Sequence, residues 1–112
     1  MSDVRTSTAT VQTDRPGRYG KQLVSHMSRR GPGHWDEAQQ TGTLDLSGGH
    51  LELQSTDNTL ILLLAVPAGD DVARLEEVIG RHLVRFGTRD ELVVAWQRSD
   101  GTAGTTQRKA ED

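Results

Sequence analysis

The sequence predicts an α+β domain in which two helices cover one face of a largely antiparallel sheet. Three observations lead to this fold class: the order of the elements, two turn signals that agree on one register, and the one-sided apolar faces of both helices. The predicted order is β-α-β-β-β-α-β. Because a helix with a single apolar stripe buries that stripe against a neighbouring layer, the expected architecture is a two-layer sandwich.

The first strand and the first helix are predicted near the start of the chain. Ala9 and Val11 alternate with polar residues, as in a short strand. Asp14 is a candidate helix cap and Pro16 suits the first helical turn, so the helix is expected to run from there to about Arg30. Its apolar stripe consists of Tyr19, Leu23 and Met27.

A first hairpin is predicted in the middle of the chain. Gly48-Gly49 separates two alternating runs, a signal for a two-residue turn. With the turn at residues 47–50, Leu46 faces Leu51 and Leu44 faces Leu53. All four leucines then lie on one face of the sheet.

A second hairpin follows, with Asp57-Asn58 at its tip. This turn pairs Leu53 with Leu62 and Leu51 with Leu64. Two turns that were identified separately therefore place the leucines on the same face. The agreement is informative because a slip of one residue would move every leucine to the opposite face.

The second helix and the last strand complete the sheet and its covering layer. Asp70 and Asp71 suit the positive N-terminal end of a helix, and Gly87 is a typical C-terminal stop. The helix presents a core-facing stripe of Val72, Leu75, Ile79, Leu83 and Phe86. The last strand is predicted at residues 92–97, with Leu92, Val94 and Trp96 on the core face.

Two strands also carry apolar residues on the face that the helices leave uncovered. These residues are Ile61, Leu63, Ala65, Val93 and Ala95. Exposed apolar patches of this kind often mediate association, so the residues are candidates for a homodimer interface. The alternative is that loops or the neighbouring polar residues His50, Glu52 and Gln54 cover the patch.

Size, composition and charge restrict the function classes. The apolar pattern predicts one domain over residues 8–98, with flexible tails at 1–7 and 99–112. The net charge of −3 argues against general nucleic-acid binding, and the absence of cysteine excludes thiol chemistry. No segment is long and apolar enough to cross a membrane or to act as a signal peptide, so a cytoplasmic protein is expected.

Three segments together resemble one bacterial family. They are RYGKQLVSH (18–26), the glycine turn before HLEL (50–53), and ARLEEVIGRHLVRFGTRDELVVAWQR (73–98). In these segments the chain resembles the family called domain of unknown function 2218. The resemblance implies a small α+β domain without an established activity. It also implies an association with iron and siderophore handling, because genes of the family often lie near iron and siderophore uptake genes.

Two histidines are the main candidates for a ligand site. His26 and His82 each lie about 60° from the centre of the apolar stripe of their helix, at ~100° per residue. If the helices pack side by side, the two imidazoles meet in one seam and could bind a metal, a proton or an anion. The alternative is that each ring donates a hydrogen bond to a backbone carbonyl and packs. Further ligand-binding candidates near this seam are Tyr19, Arg30 and Arg85.

The usual catalytic motifs are not found. The sequence contains no nucleophile elbow, phosphate-binding loop or dinucleotide fingerprint, and it requires no cofactor. The first hypothesis is therefore a non-enzymatic binding or accessory domain for a small anion or a metal. The second is a structural homodimer or a partner-docking module that acts through the open sheet face.

Overall fold

The computed structural model describes residues 4–29, 31–46, 48–67, 70–86 and 91–109. In chain order the elements are β1 (Val4–Gln12), α1 (Pro16–Met27), β2 (Gly33–Asp36), β3 (Thr41–Leu46), β4 (Gly49–Thr56), β5 (Thr59–Pro67), α2 (Val72–Phe86), β6 (Val93–Arg98) and β7 (Ala103–Arg108). The strands form one antiparallel sheet in the order β2-β3-β4-β5-β1-β6-β7. The predicted α+β class is confirmed, and β2 and β7 extend the sheet at its two edges.

Both helices lie on one face of the sheet. α1 contacts β2, β3, β4 and β5, whereas α2 contacts β6, β7 and β1, and the two helices touch each other. The predicted stripe residues of α1 are buried, and those of α2 are buried as far as Leu83, with Phe86 packed at the margin. Among the described residues, neither helix has the combination of length and apolar character that a membrane-spanning helix needs.

The leucine face of the sheet forms the floor of the core. Leu53 pairs with Leu62 and Leu51 with Leu64, which confirms the predicted register of the second hairpin. The inward residues of β5 are completely buried; they are Leu60, Leu62, Leu64 and Val66. Val94 and Trp96 on β6, together with Leu92 just before it, complete the same apolar surface.

The register of the first hairpin differs from the prediction. Leu44 pairs with Leu51 and Leu46 with Gly49, so the turn is one residue earlier in the chain than Gly48-Gly49 implied. The change displaces each pairing partner by two residues. Because side chains alternate with period two along a strand, this displacement leaves every leucine on the predicted face.

The predicted tails are partly wrong. β1 begins at Val4, and Ala103–Arg108 form β7 rather than a flexible segment. β7 has no apolar periodicity, and its buried Gln107 accepts a hydrogen bond from the Trp96 indole at 2.8 Å. Because this strand is held beneath α2 by polar contacts, its sequence lacks the alternating apolar pattern that would have predicted it.

The ends of the helices also depart from the prediction. Arg15, not Asp14, is the N-cap of α1, and it makes no side-chain capping bond. Instead, the hydroxyl of Thr13 accepts a hydrogen bond from the Arg15 N–H at 3.1 Å. For α2, the Asp71 carboxylate accepts the Arg74 N–H at 3.1 Å, as expected of an acidic cap. The predicted stop at Gly87 lies outside the described residues.

Candidate functional site

The predicted histidine seam forms where α1 meets α2. The ring centroids of His26 and His82 are 5.2 Å apart, and the ring planes are inclined at 51°. Phe86, one turn beyond His82, lies edge-on to His26 at a centroid distance of 5.1 Å. The helical-wheel positions therefore identified two side chains that the fold brings into contact.

The imidazole of His82 is oriented by its own helix. Its Nδ1 lies 2.6 Å from the carbonyl oxygen of Val78, one turn earlier. Since a carbonyl can only accept, Nδ1 carries the hydrogen, and Nε2 is the nitrogen left for another partner. His82 is half-buried, whereas His26 is exposed. The seam thus combines the oriented imidazole of His82 with the solvent-accessible imidazole of His26.

A shallow basic groove runs along the outer side of α1 and includes His26. Its lining residues are Arg18, Lys21, Gln22, Ser25, His26 and Arg29. None of them is a carboxylate. Within the described chain, neither Arg18 nor Arg29 forms an ion pair, and both side chains are exposed. The groove therefore offers two uncompensated guanidinium groups beside an imidazole.

Lys21 contributes less to the charge of the groove. Its ammonium lies 2.7 Å from the Glu37 carboxylate, just beyond β2. This hydrogen bond and the adjacent positive charge hold the pKa of Glu37 below its ordinary value. Because Glu37 stays ionised over a wide pH range, it neutralises much of the field of Lys21.

The other predicted ligand-binding residues are not part of the seam. Tyr19 is only 7% exposed and belongs to the core beneath α1, as its position in the apolar stripe predicted, and it is not among the residues that line the groove. Arg30 lies outside the described residues. Arg85 is exposed, but it lines a separate surface between α2 and β7, together with Arg81, Arg108 and Lys109.

The site is poorly suited to a metal cation. In the part of the chain that the structure describes, no cluster of three or more histidine, aspartate or glutamate side chains could hold a metal. The groove beside His26 is lined by arginines, whose charge repels a cation. His34 and Asp36 on β2 belong to no such cluster among the described residues, and the Asp36 carboxylate accepts the backbone N–H groups of Ala38 and Gln39 at 3.0 and 3.2 Å.

A polar cluster that the sequence did not predict surrounds Glu76. This carboxylate is fully buried and accepts hydrogen bonds from Ser7 at 2.6 Å and from Thr105. Arg98 donates to both of its oxygens, at 3.1 and 3.0 Å. One signal could have identified it: Glu76 follows Val72 by four residues and precedes Ile79 by three, so it lies within the apolar stripe of α2.

Comparison with known proteins identifies the family. The model of a family described as uncharacterized protein conserved in bacteria (DUF2218) matches residues 8–97. The chain belongs to the DUF2218 family. The family match includes both histidines of the seam, all of α1 and α2, and strands β2 to β5. The resemblance predicted from the sequence segments is thereby confirmed.

A solved structure supports the same fold for this DUF2218 protein. The NMR structure of PA4090 from Pseudomonas aeruginosa is similar with a TM-score of 0.60 and 25% sequence identity. The match covers 89% of this chain and 98% of that one. A comparison with curated proteins gave no match.

Proposed function

We propose that this chain is a non-enzymatic binding domain that holds a small anionic ligand in the groove of α1. The observation that carries the proposal is the combination of Arg18, His26 and Arg29 in a groove without a carboxylate. Guanidinium groups bind carboxylates and phosphates through paired hydrogen bonds, and an adjacent imidazole adds a further donor. Because the groove is shallow and exposed, we expect moderate affinity.

Inorganic sulfate and citrate are suitable probes for this proposal. Titration followed by amide NMR should move the signals of α1, and Arg18→Gln and Arg29→Gln should each weaken binding by about 3- to 10-fold, or roughly 0.7–1.4 kcal/mol. Arg5→Gln is the matched control, because it removes the same charge from the exposed end of β1. If the control weakens binding as much, the effect is one of net charge and the groove is not the site.

A link to iron is the finer form of the proposal. It draws on the family resemblance and on the suitability of a basic groove for a carboxylate-rich iron chelate. We propose that the ligand is such a chelate and that the domain binds it in the cytoplasm. Ferric citrate should then bind more tightly than citrate, with the same dependence on Arg29. Equal affinities would contradict the iron link and leave general anion binding in place.

A second candidate function, homodimerisation, is favoured by the uncharged centre of the open sheet face. The outward residues of β5, β1 and β6 form what we call the uncharged strip: Thr59, Ile61, Leu63, Ala65, Pro67, Val4, Thr6, Thr8, Thr10, Gln12, Val93, Ala95 and Gln97. Leu63 and Val93 remain 37% and 40% exposed. Two copies could pack strip to strip without bringing like charges together.

Sedimentation of the isolated chain tests the dimer. We expect a concentration-dependent dimer that Leu63→Lys disrupts, because the substitution places a charge within the strip. Asp45→Lys, on β3 two strands away from β5, makes a larger charge change outside the strip and should leave association in place. A monomer at millimolar concentration would contradict the dimer.

A further inference from the structure

We infer that anion binding in the α1 groove is coupled to protonation of the His26–His82 pair, so that the domain takes up protons together with its ligand. The inference rests on the proposed function, since it concerns how the same groove is regulated. It adds a property that the groove alone does not supply, namely an affinity that increases as the pH falls. The contact between the two rings is the observation that carries it.

The pair can accept protons at defined positions. Nδ1 of His82 already donates its hydrogen to the carbonyl of Val78, so an added proton must go to Nε2. His26 belongs both to this pair and to the groove. Since His26 is itself a lining residue of the groove and contacts His82, a change of charge on either ring occurs beside the proposed anion site.

The charged groups around the pair favour this coupling. From α1 the groove contributes Arg18, Lys21 and Arg29, and from α2 the ring of Phe86 packs against His26. Beyond β2 the Glu37 carboxylate is engaged by Lys21, and on α2 the Glu77 carboxylate is engaged by Arg81. A bound dianion reverses the sign of the nearest charge and stabilises the protonated pair.

A proton is a better partner for the pair than a metal ion. Two nitrogen ligands without a third donor make an incomplete metal site, and the structure describes no cluster that would complete it. Arginines disfavour an added divalent cation at least as strongly as an added proton. An anion that arrives with the proton removes this objection, because the charges then compensate each other.

Calorimetric titration with sodium sulfate tests the inference, since sulfate remains a dianion throughout the range used. We expect affinity to increase on the order of tenfold between pH 7.5 and pH 5.5, the range in which imidazoles change charge. Measurements in two buffers of different ionisation enthalpy should show an uptake of roughly one proton per sulfate at intermediate pH. His26→Gln and His82→Gln should abolish most of the pH dependence, while the arginines retain weak binding.

His34→Gln is the matched control, because His34 is exposed on β2, outside the groove and the seam. In this variant the pH dependence of the sulfate affinity should equal that of the unmodified chain. If His82→Gln fails to fold, His26→Gln decides the matter, since His26 is exposed. In the unmodified chain at pH 6.5, sulfate should also shift the ring signals of His26 and His82 more than those of His34 and His50.

Sulfate binding that is independent of pH and takes up no proton would overturn the inference and leave the proposed function intact. Binding that moves neither ring signal, or a pH dependence that both histidine variants retain, would overturn it in the same way. An absence of sulfate binding at every pH would overturn the proposed function as well.

Discussion

Glu76 is the residue on which the attachment of the C-terminal strand depends. It lies on α2, and its partners come from three strands: Ser7 on β1, Arg98 on β6 and Thr105 on β7. Burial disfavours the ionised form, but the hydrogen bonds from Arg98, Ser7 and Thr105 together outweigh it, so the pKa of Glu76 lies below its ordinary value. A buried carboxylate with this many donors is stabilised as an anion.

Glu76→Gln should destabilise the fold at neutral pH by about 2–4 kcal/mol, because Arg98 loses its buried counter-charge. The lowered pKa sets the sign of the pH dependence. The contribution of Glu76 is fully present above its unfolded-state value and is lost as the pH falls through the folded-state value. The difference in unfolding free energy between the two chains should therefore shrink in acid, which urea denaturation at pH 7 and pH 3 measures.

Glu52→Gln is the control for this prediction, since Glu52 is exposed on the open face. It should change stability by no more than about 0.5 kcal/mol. An equal loss in both variants, or a loss at Glu76 that persists unchanged at pH 3, would contradict the role assigned to the buried carboxylate.

At the scale of elements, the contact between α1 and the β2 edge depends on two glycines. The ring of Trp35 lies between Gly20 on α1 and Gly42 on β3. A Cβ atom at Gly20 would lie 2.8 Å from Cη2 and Cζ3 of Trp35, and one at Gly42 would lie 2.6 Å from Cε3. Gly20 disfavours an isolated helix, but here it allows the helix to approach the indole.

Gly20→Ala should therefore destabilise the protein by about 1 kcal/mol or more, although alanine favours the helical backbone. Thermal unfolding measures the effect. Gln22→Ala, at an exposed position of the same helix, should be neutral or slightly stabilising. Adding Trp35→Leu should make the alanine at position 20 less costly, because the smaller side chain relieves the clash. Strict additivity of the two substitutions would argue against this contact.

The whole molecule separates its charges between two faces despite a net charge of only −3. α1 contains Arg18 and Lys21 and no carboxylate, and α2 exposes Arg74, Arg81 and Arg85 beside Glu77. On the open face, the outward residues of β2, β3 and β4 include Asp36, Asp45 and Glu52. Anions are therefore attracted to the helical layer and repelled from the opposite side of the sheet.

Sulfate affinity should accordingly fall several-fold when sodium chloride is raised from 50 mM to 500 mM, since the screening length shortens from over 10 Å to about 4 Å. The unfolding free energy should change far less, because the Glu76–Arg98 pair is buried and poorly screened. Calorimetry measures the sulfate affinity and urea denaturation measures the unfolding free energy, both in the same buffers. Binding that is insensitive to salt would contradict an electrostatic groove.

The sequence by itself determined the fold class, the leucine face and the flank positions of the two histidines on their helices. Each follows from a short-range period: two along a strand and 3.6 along a helix. A register error of two residues at Leu46 leaves the face unchanged, and the flank positions of His26 and His82 follow from the helical wheel alone. A prediction of which face of a strand or helix a side chain occupies therefore remains correct even when the predicted strand register is wrong by two residues.

Only the tertiary structure decided what the polar residues do. Glu76 is separated from Ser7 by 69 positions and from Thr105 by 29, and no local pattern links them. β7 is a strand because Thr105 and Gln107 meet partners on α2 and β6. Apolar burial is encoded in local periodicity, whereas a polar group is satisfied by whichever partners the completed fold brings within hydrogen-bonding distance.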